Sequence, residues 1–206
     1  MKPFWRNVSI AIWLPVQATL AGCTGTDDCS QPLSDNLLEN PRFELNEQGT
    51  PDGWYSTQHA GTRAYRVTAK DGVLTIGKFD EQAWFYFAQK VKIPDRDSQH
   101  LRFSAEIKLD MAVDPLHAFE QGGGLSLKIR GTSNNRSNRL LLSSLLDHEP
   151  RLGKTDWVPV AVTVVVPPGS ETVTAGFLHQ ANGTLEVRNP GLHWVKESCG
   201  ESAAHQ

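Results

Sequence analysis

The sequence predicts an all-β chain folded as an antiparallel β-sandwich, and three observations carry that prediction. Apolar and polar residues alternate with period two in several separate stretches, Gly, Pro and Asn-Gly punctuate them at short intervals, and almost nothing sustains a helical period. Many short strands divided by turn signals are the pattern of two packed sheets.

In chain order, Val67, Val73, Leu74 and Ile76 mark the first strand region, with Gly72 as its turn. In Trp84-Phe85-Tyr86-Phe87 the alternation places Phe85, Phe87, Gln89 and Val91 on one face and Trp84 and Tyr86 on the other. One set belongs to the core and the other is partly exposed. Leu101, Phe103, Ala105, Ile107 and Leu109 alternate with Arg102, Ser104, Glu106 and Lys108, and Leu125, Leu127 and Ile129 repeat the pattern against Ser126, Lys128 and Arg130. Gly122-Gly123-Gly124 reads as a flexible loop before that strand. It is not a phosphate cradle, because neither a helical pattern nor Lys-Ser/Thr follows it. Leu140 to Leu146 fits both a short helical turn and a buried strand. The β-branched run Val160 to Val166 is a strand ended by Pro167-Pro168-Gly169. Val173, Ala175 and Phe177 alternate again, and Asn182-Gly183 is expected to turn a hairpin before Leu185 and Val187.

The amino terminus has the layout of an export signal, with Lys2 and Arg6 ahead of an apolar run from Val8 to Leu20. That run is thirteen residues long and broken by Pro15 and Gln17, whereas a membrane-spanning helix needs about 20 apolar residues. Leu20-Ala21-Gly22-Cys23 resembles the lipobox of bacterial lipoproteins, in which the peptide is cut before a lipid-modified cysteine. The resemblance implies a signal over residues 1–22, a lipidated Cys23 and a membrane-anchored chain at the bacterial cell envelope. Thr24, where enterobacterial inner-membrane lipoproteins have aspartate, points to the outer membrane. Residues 23–35 are small and polar, as a tether would be. The folded domain is expected over 36–199, with 200–206 as a disordered tail. Cys29 and Cys199 bracket that domain in a compartment that permits disulfides and are expected to pair. In the chain-entropy model, closing so long a loop stabilises the fold by up to about 4 to 5 kcal/mol.

The formal charge is −3, with no basic cluster in the sequence, which argues against a nucleic-acid partner. No Gly-x-Ser-x-Gly elbow occurs, and the seven histidines are scattered without metal-ligand spacing. Glu106 and Asp110 share one face of a regular strand, which is usually a solvated one. Catalysis has no positive support in these patterns, so the chain is expected not to be an enzyme. A jelly-roll enzyme that cleaves glycan stays as the remotest alternative.

Asn36-Leu37-Leu38-Glu39-Asn40-Pro41-Arg42-Phe43-Glu44, then Pro51-Asp52-Gly53-Trp54, Phe87-Ala88-Gln89-Lys90-Val91, and Trp157 with the valine strand form an ordered series. It resembles the jelly-roll carbohydrate-binding modules of families 4, 9 and 22 over most of residues 36–196. The resemblance implies two face-packed sheets with neighbouring termini, and a non-catalytic glycan-binding role. It implies Trp84 and Tyr86 as the pair that stacks on sugar rings, with Lys128 and Arg130 as polar candidates on a neighbouring strand. Trp54 and Trp157 coincide with positions that pack the fold, Trp194 receives no role, and Tyr55 and Tyr65 are candidates for a groove rim. No cofactor is expected. The one metal raised is a structural calcium, but the closing strand has Arg188-Asn189 where the family usually has Asp-Asp. Only Glu44 and Asn189 are left there as oxygen donors, against the six or so that calcium takes. The alternative function on the same fold is an envelope assembly or protein-interaction lipoprotein that binds no sugar.

Overall fold

The computed structural model describes residues 32–93, 100–117, 121–145 and 151–196. Cys23, Cys29, Cys199, the signal and the tail lie outside them. All eleven elements are strands: β1 (Tyr55–Gln58), β2 (Tyr65–Lys70), β3 (Val73–Lys78), β4 (Phe85–Lys92), β5 (His100–Ala112) and β6 (Gly123–Ser133), followed by β7 (Arg136–Leu145), β8 (Gly153–Lys154), β9 (Val158–Val165), β10 (Ser170–His179) and β11 (Asn182–Val195). Among the described residues no helix is long and apolar enough to cross a membrane.

The first sheet has the order β1-β4-β10-β6-β7, and the second has β2-β3-β11-β5 with both β8 and β9 on the outer edge of β5. Every strand pair is antiparallel. Burial follows the period-two pattern. Along β5 every second residue from Leu101 to Met111 is buried, because those side chains point between the sheets. The core joins Phe85, Phe87, Val173, Ala175, Phe177, Leu127 and Ile129 from the first sheet to Leu74, Ile76, Phe103, Ile107, Leu185 and Val187 from the second. Trp54 stacks on Phe87 at 5.4 Å and on Phe177 at 5.8 Å, and its indole N–H donates to the Asn40 carbonyl at 3.0 Å. A large ring is thereby buried with its polar atom satisfied.

Two amides fasten the segment ahead of β1. Gln89 receives the Glu39 N–H at 2.7 Å and donates to the Glu39 carbonyl at 2.8 Å, imitating a missing strand partner. The Asn36 carboxamide accepts from the N–H groups of Leu38 and Leu192 and donates to the Pro190 carbonyl. Leu33 N–H also donates to the Trp194 carbonyl at 2.8 Å, so the described ends of the chain lie side by side, as the resemblance implies.

Several local readings are corrected. Asn182-Gly183 is not a hairpin turn, because β10 belongs to the first sheet and β11 to the second. Gly183 instead holds a φ of 105° where a Cβ would lie 2.1 Å from the Asp110 carbonyl oxygen, so only glycine fits the close approach to β5. Gly123 and Gly124 are not loop but the buried start of β6. The open case of Leu140 to Leu146 resolves as strand through Leu145, in β7. Tyr65 rims no groove: it is fully buried between Phe85 and His179. Trp157 is half-buried outside the core, under the Arg188 guanidinium at 4.3 Å, because it precedes β9 on the solvent side of the sheet edge. Trp194 does pack the core.

Candidate functional site

The face of the first sheet opposite the core carries its own small apolar cluster of Tyr86, Ala88 and Leu178, with Trp84 packed against it. The register sets what lies beside what. One row across the strands is Thr57, Tyr86, Leu178 and Gly124. The next is Tyr55, Ala88, Gly176 and Ser126, and the one beyond is Lys90, Thr174, Lys128 and Ser143. A fourth is Lys92, Thr172, Arg130 and Leu140. The second row is floored by small residues, and at Gly176 nothing larger fits: a Cβ would come within 2.5 Å of the Phe87 carbonyl oxygen. A trough therefore runs between an aromatic row and a basic row.

At its aromatic end lies a cavity of about 170 Å³ lined by Thr57, Trp84, Tyr86, Lys128, Leu178 and Gln180. Trp84 sits just ahead of β4, half-buried, edge-on to the His59 ring at 6.1 Å. Tyr86, expected to be partly exposed and free to stack, is instead only 5% exposed, because it packs in the apolar cluster and the Lys128 ammonium rests 4.7 Å above its ring. Burial pushes the Tyr86 phenol up, against the opposing effect of the neighbouring Ser126 hydroxyl, so it stays a neutral donor. The Tyr86 and Ser126 hydroxyls are both buried and lie close enough together for Ser126 to lower the phenol. Burial, and then the charge of Arg130, lower the Lys128 ammonium. Arg130 stands two residues along β6, donating to the Asn138 carbonyl at 3.0 Å.

The structure thus gathers Trp84, Tyr86 and Lys128 around one cavity and places Arg130 on the same face one row beyond Lys128. Lys128 and Arg130 lie on β6, which is separated from β4 by β10 and does not neighbour it directly. Sequence reasoning missed Thr57, Leu178 and Gln180. The one available signal for the first was the alternation of Tyr55 and Thr57 in a four-residue strand, too short to stand out. Tyr55, 45% exposed, borders the trough from the edge strand.

The backbone N–H of Glu44 donates to Asn40 Oδ1 at 2.7 Å, and the Asn189 side-chain amide donates to Glu106 at 2.6 Å beside the paired Arg188. Among the described residues no group of three or more His, Cys, Asp or Glu gathers as a metal site. Hydrogen bonds from Arg188 and Asn189 hold the Glu106 carboxyl below its usual range. Asp110 pairs with Lys154 at 3.2 Å.

No family model and no curated protein matches the chain. Among solved structures it is similar to the enzymatically active domain of bacteriophage CBA120 tailspike protein 4, with a TM-score of 0.54 and 15% identity over 78% of this chain and 21% of that one. It is also similar to the CBM22-1–GH10 modules of a Clostridium thermocellum endo-1,4-β-D-xylanase 10B complexed with xylohexaose, with a TM-score of 0.50 and 11% identity over 80% of this chain and 29% of that one. The chain therefore spans less than a third of either. The CBM22-1 xylan-binding domain from Paenibacillus barcinonensis aligns over 81% of this chain and 98% of its own, at 16% identity and a TM-score of 0.48. At these identities the likeness establishes the fold, an antiparallel jelly-roll sandwich of the kind seen in carbohydrate-binding modules.

Proposed function

We propose that this sandwich binds glycan, without cleaving it, through the trough on the outer face of its first sheet, and that lipid on Cys23 holds it at the bacterial envelope. The single observation that carries the binding reading is the cavity between Trp84, Tyr86 and Lys128, where an apolar wall meets the polar side chains of Thr57, Lys128 and Gln180. Sugar rings offer that combination, with apolar ring faces and a hydroxyl rim. Similarity of fold to modules crystallised with xylan fragments is consistent with it, although fold alone does not carry function. A binding role without chemistry is supported by the engagement of Glu106 and Asp110 in ion pairs on the opposite sheet.

A glycan array with the full chain tests the reading. Binding to at least one polysaccharide, weakened about tenfold or more in Trp84→Ala, is expected. Binding that survives Trp84→Ala together with Tyr86→Phe removes the proposed site. The anchor is tested separately, by mass spectrometry of the mature amino terminus and by fractionation of Cys23→Ser, which should leave the membrane pellet. A protein partner is the second reading, favoured by the half-exposed Leu140 on the free edge strand β7. Failure of every glycan on the array would turn attention to it.

A further inference from the structure

The charges of the chain are unevenly placed. The five strands of the first sheet carry Lys90, Lys92, Lys128, Arg130, Arg136 and Arg139 and one acid, Glu171. Glu171 sits at the bulge where β10 starts and accepts from the Thr132 hydroxyl. The three strand acids of the second sheet, Glu106, Asp110 and Glu186, each pair with a cation there. Among the described residues no carboxylate forms an ion pair with any cation of the first sheet. This happens in a chain whose net charge is −3, so the imbalance belongs to one face and not to the composition.

Register turns these cations into an array. Lys90 and Lys128 face each other across Thr174, and Lys92 and Arg130 across Thr172. The backbones that carry them are two strand spacings apart, about 10 Å, and the two rows follow each other at about 7 Å along the strands, while the Lys128 ammonium itself reaches back over the Tyr86 ring at 4.7 Å. With no carboxylate paired to them, these cations give the face a positive field. An anion lying along the trough would meet both rows at once. Beyond Arg130 the face continues into a hollow of about 400 Å³ lined by Ser133, Asn134, Arg136 and Arg139.

Resting on the glycan-binding reading above, the geometry points to a carboxylated polysaccharide as the ligand. Its sugar rings lie against Trp84, beside the Lys128 ammonium that covers Tyr86, and its carboxylates lie along the rows of Lys90 with Lys128 and Lys92 with Arg130. Four cations in two rows beside a single aromatic pocket suit a chain with intermittent charge.

The test is binding of the full chain to polygalacturonate, alginate and hyaluronate, each beside its carboxyl-reduced form, with a neutral xylan and a poly(dT) oligonucleotide. Binding to at least one acidic polymer is expected, with a loss of at least tenfold on carboxyl reduction and weakening between 50 and 500 mM salt. Lys128→Gln and the surface change Lys90→Gln should each weaken it about fivefold or more, whereas Lys108→Gln on the opposite sheet should leave it unchanged. Because Lys90 is exposed, its replacement separates charge from folding. Equal binding of reduced and acidic polymers, or binding to xylan alone, overturns the anionic ligand and leaves glycan binding standing. Binding to none overturns both, and tighter binding of poly(dT) than of any polysaccharide overturns both in favour of nucleic acid.

Discussion

Lowering the pH should unfold this protein partly through one ring, His179. It ends β10, fully buried, with Nε2 3.1 Å from the Gly183 carbonyl and the Tyr65 ring edge-on at 5.0 Å. The carbonyl requires Nε2 to be the protonated nitrogen, and Nδ1 is left buried without a partner. Burial foremost, joined by the charge of Lys78 and only partly opposed by the Gly183 carbonyl and the residue's own backbone, brings the ring from 6.5 to about 4. Above pH 6.5 the ring is neutral in both states and contributes no pH dependence. Between about 6.5 and about 4 the unfolded chain binds a proton that the folded chain refuses, so stability falls by about 1.4 kcal/mol per unit, or about 2 kcal/mol by pH 5. Urea unfolding at pH 7.5, 6 and 5 measures this. The control is His179→Gln, whose amide can still donate to Gly183 but does not titrate. The gap in stability between the two proteins should shrink by about 2 kcal/mol at pH 5. Parallel pH profiles would refute the argument.

Trp54→Ala should cost about 3 to 5 kcal/mol, read as a lower calorimetric Tm, because it empties the space beside Phe43, Phe87 and Phe177. Lys78→Met should cost about 3 to 5 kcal/mol by leaving the Asp114 carboxylate, 4% exposed, without its ammonium, and adding Asp114→Leu should recover most of it in the same unfolding assay. Gln89→Leu should cost about 1 to 3 kcal/mol and speed amide exchange at Glu39, whose N–H loses its acceptor.

Much of the fold is legible in the sequence because a strand buried on one face writes its burial into alternate residues. β5 is the plainest case: the apolar series from Leu101 to Leu109 is the series that faces the core. Alternation also sets Phe85 and Phe87 on the opposite face of β4 from Tyr86, although both faces are buried from Phe85 to Gln89 and burial itself does not alternate there. It fails where strands are short or exposed. β1 and β8, with four and two residues, bury too little to leave a pattern. It also misleads at Asn182-Gly183, where ordinary hairpin chemistry serves a crossing between sheets.

By itself, then, the sequence determined the all-β class, the core-facing residues of the long strands and the face on which Trp84, Tyr86, Lys128 and Arg130 stand. Those follow from alternation within one strand, a local property of the extended backbone. Only the tertiary structure decided that β10 lies between β4 and β6, that Lys90 opposes Lys128 across Thr174, and that Tyr65 is core while Tyr55 borders the trough. Strand order and register arise from hydrogen bonds and packing between segments far apart in the chain, and no periodicity within either partner encodes which row meets which.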